Sequence, residues 1–333
     1  MGYGALRHVV LGRDRVGYRR RVDRPAVALV GPGRWGRHIL RDLVALGAET
    51  TVVDHAGRSR EAALAAGAAA VVDSVDALPE RVTGAVVATP TTTHAEVVEQ
   101  LLERPLAVFC EKPLTDDPAS AARIAAAAPD RVFVMHKWRY HPGVELLAEL
   151  VRSEELGPVV GLRTTRIGWG NPHGDVDGIW MLASHDLSIA LEVLGTIPEP
   201  RAAVAELVAQ TATGLVGLLG DDPWFALEIS TSSAVRRREV RLICRDGVAT
   251  LGDAYADNVV LTTGRVDREP LRRVDEERPV STELPLLREL RAFLEYLAGG
   301  PPPRSSAAEA LADVEAIAGL RELAGLPRSS VVP

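Results

Sequence analysis

Lysine is nearly missing from this chain: of 38 basic residues only Lys112 and Lys137 are lysine, and the rest are arginine. An arginine stays protonated at any working pH, whereas a half-buried lysine can fall from ~10.4 toward neutrality and pass protons. A lone lysine in an arginine-rich sequence therefore marks a place that needs an amine. Cysteine is as scarce. Cys110 and Cys244 cannot build a disulfide framework, which excludes the cysteine-rich secreted class and points to a reducing cytoplasm. No uninterrupted apolar run approaches the ~20 residues of a membrane span; the longest, Ala62–Val72, is mostly alanine and is broken by Gly67. A net charge of −7 excludes a general nucleic-acid binder. The first 24 residues are the exception in sign, with seven Arg and two Asp. They lack the apolar core and cleavage pattern of a signal peptide. They read as a basic N-terminal extension, either an arm for an acidic partner or a poorly ordered lead-in.

What is present is a soluble globular composition, 47% hydrophobic and 25% charged, over a length that suggests roughly two domains. Pro25–Val30 is a short apolar strand, and Gly31-Pro-Gly-Arg-Trp-Gly36 follows it directly. Helical spacing then runs from His38 to Leu46, and a second strand, Glu49–Val53, ends at Asp54. A strand, G-x-G-x-x-G, a helix and an acid 23 residues after the first glycine form the dinucleotide-binding fingerprint. The glycines let the backbone approach a pyrophosphate, and the helix N-terminus adds partial positive charge. Asp54 is placed for the adenosine ribose hydroxyls and would repel a 2′-phosphate, which favours NAD over NADP; Arg58 and Arg60 nearby could neutralise such a phosphate.

Strand–helix alternation continues to Arg131–Met135, a sixth strand, and specifies a doubly wound parallel sheet. After His141-Pro142 the period changes to two in several strands, with helices at Gly143–Arg152 and Ile179–Leu194 and two closing helices after Leu286. The fold class expected is α/β: an N-terminal Rossmann domain over 25–142, then an α+β domain over 143–333 with an open, mostly antiparallel sheet.

Phe109-Cys110-Glu111-Lys112-Pro113 ends one of the buried strands, at the edge where ligands of parallel α/β sheets bind. Thr89 and Pro90 end another and should line the cofactor site, besides serving as a turn and helix cap. With these pieces placed, the chain resembles the Gfo/Idh/MocA oxidoreductase family over most of 25–325. The likeness is carried by Gly31–Gly36, Ala88-Thr-Pro-Thr-Thr-Thr-His94, Glu111-Lys112-Pro113 and the segment ending in Ser184-His185-Asp186. Members are NAD(P)-dependent enzymes acting mostly on sugars, nucleotide-sugars and cyclitols, and their open sheet often mediates dimers or tetramers. The resemblance implies hydride transfer at a carbinol carbon, with Lys112 at the catalytic lysine position and His185 at the catalytic histidine position. Together with the fingerprint it gives the expected cofactor contacts as Gly31, Gly33, Arg34, Trp35, Gly36, Asp54, Thr89, Pro90, His94, Glu111 and Lys112.

One departure stands out. The family usually has an Asp one helical turn before the histidine, and here that position is Met181, whose thioether can neither take a proton nor balance a charged lysine. Asp175, Asp177 and Glu111 are the acids that could replace it; Asp177 is best placed, although Asp in a glycine loop is commonly a turn former or N-cap. Asp186 reads as a brace for its helix or a neighbouring chain. The expected substrate contacts are Arg139, Tyr140, Trp169, Asp177, Trp180 and Met181; the loop also holds Asn171 and His173. His173 and His185 have no metal-ligand spacing with a cysteine or acid cluster, so no metal is expected. The expectation is a cytoplasmic, homo-oligomeric NAD-dependent dehydrogenase or reductase. The alternative is a cofactor-binding regulator or scaffold of the same fold, its chemistry lost at Met181. A substrate that supplies the missing acid, such as a uronate or amino sugar, is a third reading.

Overall fold

The computed structural model describes residues 25–171, 174–263 and 274–329. The basic extension 1–24 and His173 lie outside the described residues. Strands with apolar residues on both faces make the first sheet. β1 (Ala26–Val30), β4 (Gly84–Val87) and β5 (Ala107–Cys110) are buried at every position, the signature of central parallel strands covered on both sides. With β2 (Glu49–Val53), β3 (Ala70–Val72) and β6 (Val132–Val134) they form a parallel sheet in the order β3-β2-β1-β4-β5-β6. The order reverses beside β1, so a crevice opens at the carboxyl ends of β1 and β4. Helices α1 (Gly36–Ala45), α2 (Arg60–Ala65), α3 (His94–Leu102) and α4 (Pro118–Ala127) make the crossovers.

After α5 (Pro142–Ser153) comes the second sheet, with eight strands: β7 (Val159–Trp169), β8 (Pro200–Val208), β9 (Thr211–Leu219), β10 (Trp224–Ser230), β11 (Ser232–Cys244), β12 (Gly247–Leu251), β13 (Asn258–Thr263) and β14 (Val274–Pro279). Their order is β14-β13-β12-β11-β7-β10-β9-β8, antiparallel throughout except for β7 beside β10. This is the open, mostly antiparallel sheet that the period-two segments indicate. β14 is the strand that the hydrophobic pattern misses. Its Val-Asp-Glu-Glu-Arg-Pro sequence is that of an exposed edge, where charge discourages further pairing.

Helix α6 (Gly178–Leu194) lies between this sheet and the first half of the chain and is buried on almost every side. Asp177 caps its start, and Gly195, with φ of 77°, ends it in the left-handed conformation that glycine adopts readily. The chain then returns to its beginning. Although the sequence places everything beyond 142 in the second domain, α7 (Pro285–Leu297) lays Leu286, Leu290, Phe293 and Leu294 on the parallel sheet, and Phe293 stacks on Phe109 of β5 with centroids 5.0 Å apart. α8 (Ala307–Leu323) starts with a Ser306/Glu309 capping box and packs against α4, α6 and β8. Replacing Phe293 by Ala should therefore destabilise the parallel sheet itself, by roughly 3–5 kcal/mol, with a much smaller loss for Phe293→Leu, read as shifts in the denaturant midpoint.

Candidate active site

The glycine-rich turn has the shape of a phosphate cradle. A Cβ on Gly36 would lie 2.1 Å from the Gly31 carbonyl oxygen and one on Gly31 2.8 Å from Ala88 and Thr89, so these two glycines let strand, turn and helix close up. A Cβ on Gly33 would meet nothing within 4 Å: it projects into open space at the start of α1. That helix has no side-chain cap and no acid in its first turn, so no side chain neutralises the positive end of its dipole, although the Arg37 and His38 amides already donate to the Gly33 and Trp35 carbonyls. The turn and helix end therefore suit the pyrophosphate of a dinucleotide. Asp54 sits at the carboxyl end of β2, buried, with Oδ2 accepting from the Ser59 amide at 2.6 Å. Arg34, Arg58 and Arg60 are exposed around it.

Behind the cradle, His94 joins two strand ends. Its Nδ1 lies 3.0 Å from the Pro113 carbonyl and its Nε2 3.0 Å from the Thr89 carbonyl. A neutral imidazole can donate to only one of them, yet burial holds its pKa below the usual value. His94 is thus fully buried beneath the rim as a clasp, while Thr89 and Pro90 line the rim itself. Glu111 accepts from Trp35 Nε1 and, at 3.1 Å, from the Lys112 amide, which ties the glycine turn to the end of β5.

Lys112 points across to α6, where its Nζ donates to the Met181 carbonyl at 2.9 Å. Its pKa is lowered to about 8: burial is the largest cause, Glu111 opposes it, Lys137 and Arg166 add to the fall, and Asp313 opposes it least. His185, one turn beyond Met181, is neutral at neutral pH: burial and then Lys112, Arg166, Lys137 and His136 push its pKa well down. Its Nδ1 is buried without a hydrogen-bond partner among the described residues. The structure thus brings Lys112, Met181 and His185 together at the rim of the cradle. Lys137 Nζ joins them 4.6 Å from the Trp35 ring centre, its pKa lowered by burial against the pull of Glu111 and Glu289.

Four of the expected substrate contacts are engaged elsewhere. Arg139 is paired with Glu192 and Glu309, each at 3.0 Å, and donates to Ser305. The buried Tyr140 hydroxyl accepts from the Arg304 amide at 2.8 Å. Trp180 is wholly enclosed beneath Arg321. Asp177 accepts from the Ile179 and Trp180 amides and pairs with Arg321 at 2.5 Å, so the acid best placed by sequence to replace the missing one is an N-cap locked to α8. Each belongs to a polar network that a helix face or a loop position does not reveal. Asp175 instead spans the crevice, with the Thr92 amide 3.4 Å from its Oδ2, and Trp169 stands 81% exposed at the end of β7.

Sequence reasoning missed the partner of Asp186 and the interior acids Asp313 and Glu289. Arg166 of β7 pairs with Asp186 at 2.6 Å and lies 4.4 Å from the Trp138 ring centre, which makes Asp186 the brace of α6. Asp313 and Glu289 are fully buried on α8 and α7, and burial beside Glu111 raises the Glu289 pKa well above its usual value. A signal for both existed: each acid falls on the apolar stripe of its helix, Glu289 among Leu286, Leu290 and Phe293, and Asp313 among Ala310, Val314 and Ile317.

Residues 26–136 match the model of the Gfo/Idh/MocA oxidoreductases, a family described by its NAD-binding Rossmann fold. The chain is 28% identical over 231 residues to UDP-N-acetylglucosamine 3-dehydrogenase of Acidithiobacillus ferrooxidans, covering 67% of this chain and 72% of that protein. The solved structure of that enzyme superposes with a TM-score of 0.76 at 24% identity, over 90% of this chain and 97% of the other. Inositol 2-dehydrogenase 1 of Paenarthrobacter aurescens is 32% identical over 158 residues, 44% of this chain and 47% of its own.

The two glycines differ in a way that can be measured. Gly33→Ala should leave thermal stability almost unchanged and weaken dinucleotide binding at least tenfold in a titration, because its Cβ fills ligand space alone. Gly36→Ala should cost stability first, since its Cβ meets backbone.

Proposed function

We propose that the chain, whose residues 26–136 match the Gfo/Idh/MocA oxidoreductases, is an NAD-dependent dehydrogenase or reductase of a sugar, nucleotide-sugar or cyclitol hydroxyl. The observation that carries the reading is the convergence of the strand-end Lys112 and the α6 residue His185 beside the cradle, linked through the Met181 carbonyl. The bound nicotinamide supplies the acceptor or donor of the hydride. The chain supplies the rest. In oxidation, neutral His185 accepts the hydroxyl proton, and charged Lys112 polarises the same oxygen and stabilises the charge that develops on it. Trp35 and Glu111 fix the glycine turn relative to Lys112. Asp54, a carboxylate at the end of β2, favours the free ribose hydroxyls of NAD over the 2′-phosphate of NADP.

Met181 modifies this scheme without removing it. A carbonyl oxygen holds the Lys112 ammonium but does not balance its charge, so its proton is loosely held. The protein is read as a cytoplasmic homodimer or homotetramer. In support, Val204, Val216 and Leu218 expose one apolar patch on the paired strands β8 and β9, and no helix among the described residues is long and apolar enough to cross a membrane.

The test is reduction of NAD and NADP across a panel of sugars, nucleotide-sugars and inositols, followed by nicotinamide absorbance. Lys112→Ala should lower kcat/KM on the order of 10²–10⁴-fold, and unchanged turnover would remove Lys112 from the chemistry. The pH profile has a definite sign. The Lys112 pKa is lowered to about 8, and its polarising role needs the proton, so kcat/KM for oxidation should decline as pH rises through about 8. A profile that climbs through that point would give Lys112 the role of base instead.

A further inference from the structure

At the end of β7 the second sheet departs from its regular ladder. Ser232 faces Trp169 and Arg237 faces Ile167, so residues 233–236 of β11 stand opposite Gly168 alone. A bulge of this kind takes side chains out of the strand alternation, and bulges are common beside active sites. Here it gathers arginine. A Cβ on Gly168 would lie 3.8 Å from both Nη1 and Nη2 of Arg238 and 4.0 Å from Arg236 Cγ, so both side chains fold over the gap this glycine leaves. Arg236 also lies 5.9 Å from the ring centre of Tyr255, which with Trp35, Trp138 and Lys137 lines a cavity of about 300 Å³. Trp35 belongs to the glycine turn. The cavity thus has the cradle on one wall and, behind Tyr255, the arginine corner on another.

Arg238 is under-partnered for its position. It stands opposite Arg166 in the strand register, and Val240 and Leu242 on the same face of β11 are buried in the core. Like charges directly opposite on one sheet face repel. Arg166 is answered by Asp186 at 2.6 Å, next to His185 in the chain, whereas Arg238 has no ion pair among the described residues. Its Nη1 donates to the carbonyls of Ile167 at 2.5 Å and Arg237 at 2.9 Å. That leaves the Nε/Nη2 edge, which offers two parallel N–H groups, without an acceptor among the described residues. Burial and the charges of Arg166 and Arg236 lower its pKa, and Asp186 and Asp253 oppose them. A half-buried guanidinium among other cations is best served by an anion from outside the chain.

We propose that the substrate is an anionic sugar, a sugar acid or a sugar phosphate, whose oxyanion is held by the free Nε/Nη2 edge of Arg238 beside Arg236. Carboxylate and phosphate both present the two oxygens that this fork fits. Arg238 is then a specificity-determining residue, set across the strand pair from Arg166 and its Asp186 contact. The proposal rests on the reading of the crevice as a sugar dehydrogenase site and deepens it by naming the charge of the substrate.

Matched pairs test it with NAD: glucuronate against glucose, galacturonate against galactose, and glucose 6-phosphate against glucose. The anionic member of at least one pair should have a kcat/KM on the order of tenfold or more above its neutral partner. Arg238→Gln should remove roughly 10- to 100-fold of that advantage, mainly through KM. Arg238→Lys, which keeps the charge and loses the fork, should fall between. An Arg238 that only holds the bulge through Nη1 would lower both members of a pair alike. That result, or a preference for the neutral members throughout, overturns the proposal. The uronate and phosphate arms show which oxyanion is held. Calorimetric titration of the NAD-loaded protein separates the proposal from the hydride-transfer reading. Arg238-dependent binding of anionic sugars without turnover would strike the dehydrogenase reading alone, and turnover of neutral sugars alone would do the reverse. Anionic sugars that neither bind nor react also overturn the proposal.

Discussion

The Lys112 ammonium donates to the Met181 carbonyl, and that bond joins the end of a parallel strand to the helix packed against the antiparallel sheet. It also sets a problem for its surroundings. A cation has been taken out of water and given a neutral acceptor, and the cations nearest to it are other basic side chains. Arg166 and Lys137 lie close enough to depress the proton affinity of Lys112 and of His185. Such a group of charges is tolerable only if the interior supplies anions or aromatic faces. It supplies both. Lys137 lies over Trp35, Arg166 over Trp138, Arg321 over Trp180 and Arg163 over Trp224, so four of the five tryptophans stand under a cation. Asp186, Asp313 and Asp177 are acids set among them, all buried or half-buried, while burial favours the neutral form of Glu289.

The source of those acids explains why the C-terminal helices return to the start of the chain. Glu289 and Asp313 sit where the apolar stripes of α7 and α8 would otherwise take a leucine. Replacing such polar groups by hydrocarbon is often neutral or stabilising in a protein interior, so stability alone does not account for them. They act where they are. His136 at the end of β6 lies 3.5 Å from Asp313, and Glu289 favours the charged form of its neighbour Lys137. The closing helices therefore cover the core and set the potential of the rim where cofactor and substrate would meet.

This division also explains what could be read from the residues in order. The glycine turn, Asp54, the sixfold strand alternation and the scarcity of lysine are local patterns that can be read without the rest of the fold, and the alternation is the six-stranded parallel sheet. Lys112 needed no neighbours to be noticed. Its setting could not be read in the same way, because Asp313 lies 201 positions further along the chain. Arg139 and Tyr140 looked like rim residues at the end of a strand, yet α6 and the Arg304–Glu309 segment close over them. β14 escaped for a different reason. Its pairing with β13 is carried by main-chain bonds, and its side chains face solvent, so no hydrophobic period marks it.

The consequence of Met181 is best seen through the peptide rather than the side chain. In an α-helix the carbonyl of residue 181 accepts the amide of residue 185, so the oxygen that holds Lys112 is also the one that fixes the backbone of His185. A movement of the amine is then felt at the histidine through a single acceptor, without any side chain between them. An aspartate at 181 would offer a second, charged oxygen set away from the helix axis. It would bind the ammonium more tightly and loosen that coupling. A carbonyl cannot itself be protonated under working conditions, so the oxygen that holds Lys112 takes no part in proton transfer. The site thus answers the Lys112 charge with a neutral carbonyl at 181 and with Glu111 beside it, rather than with a carboxylate on the helix.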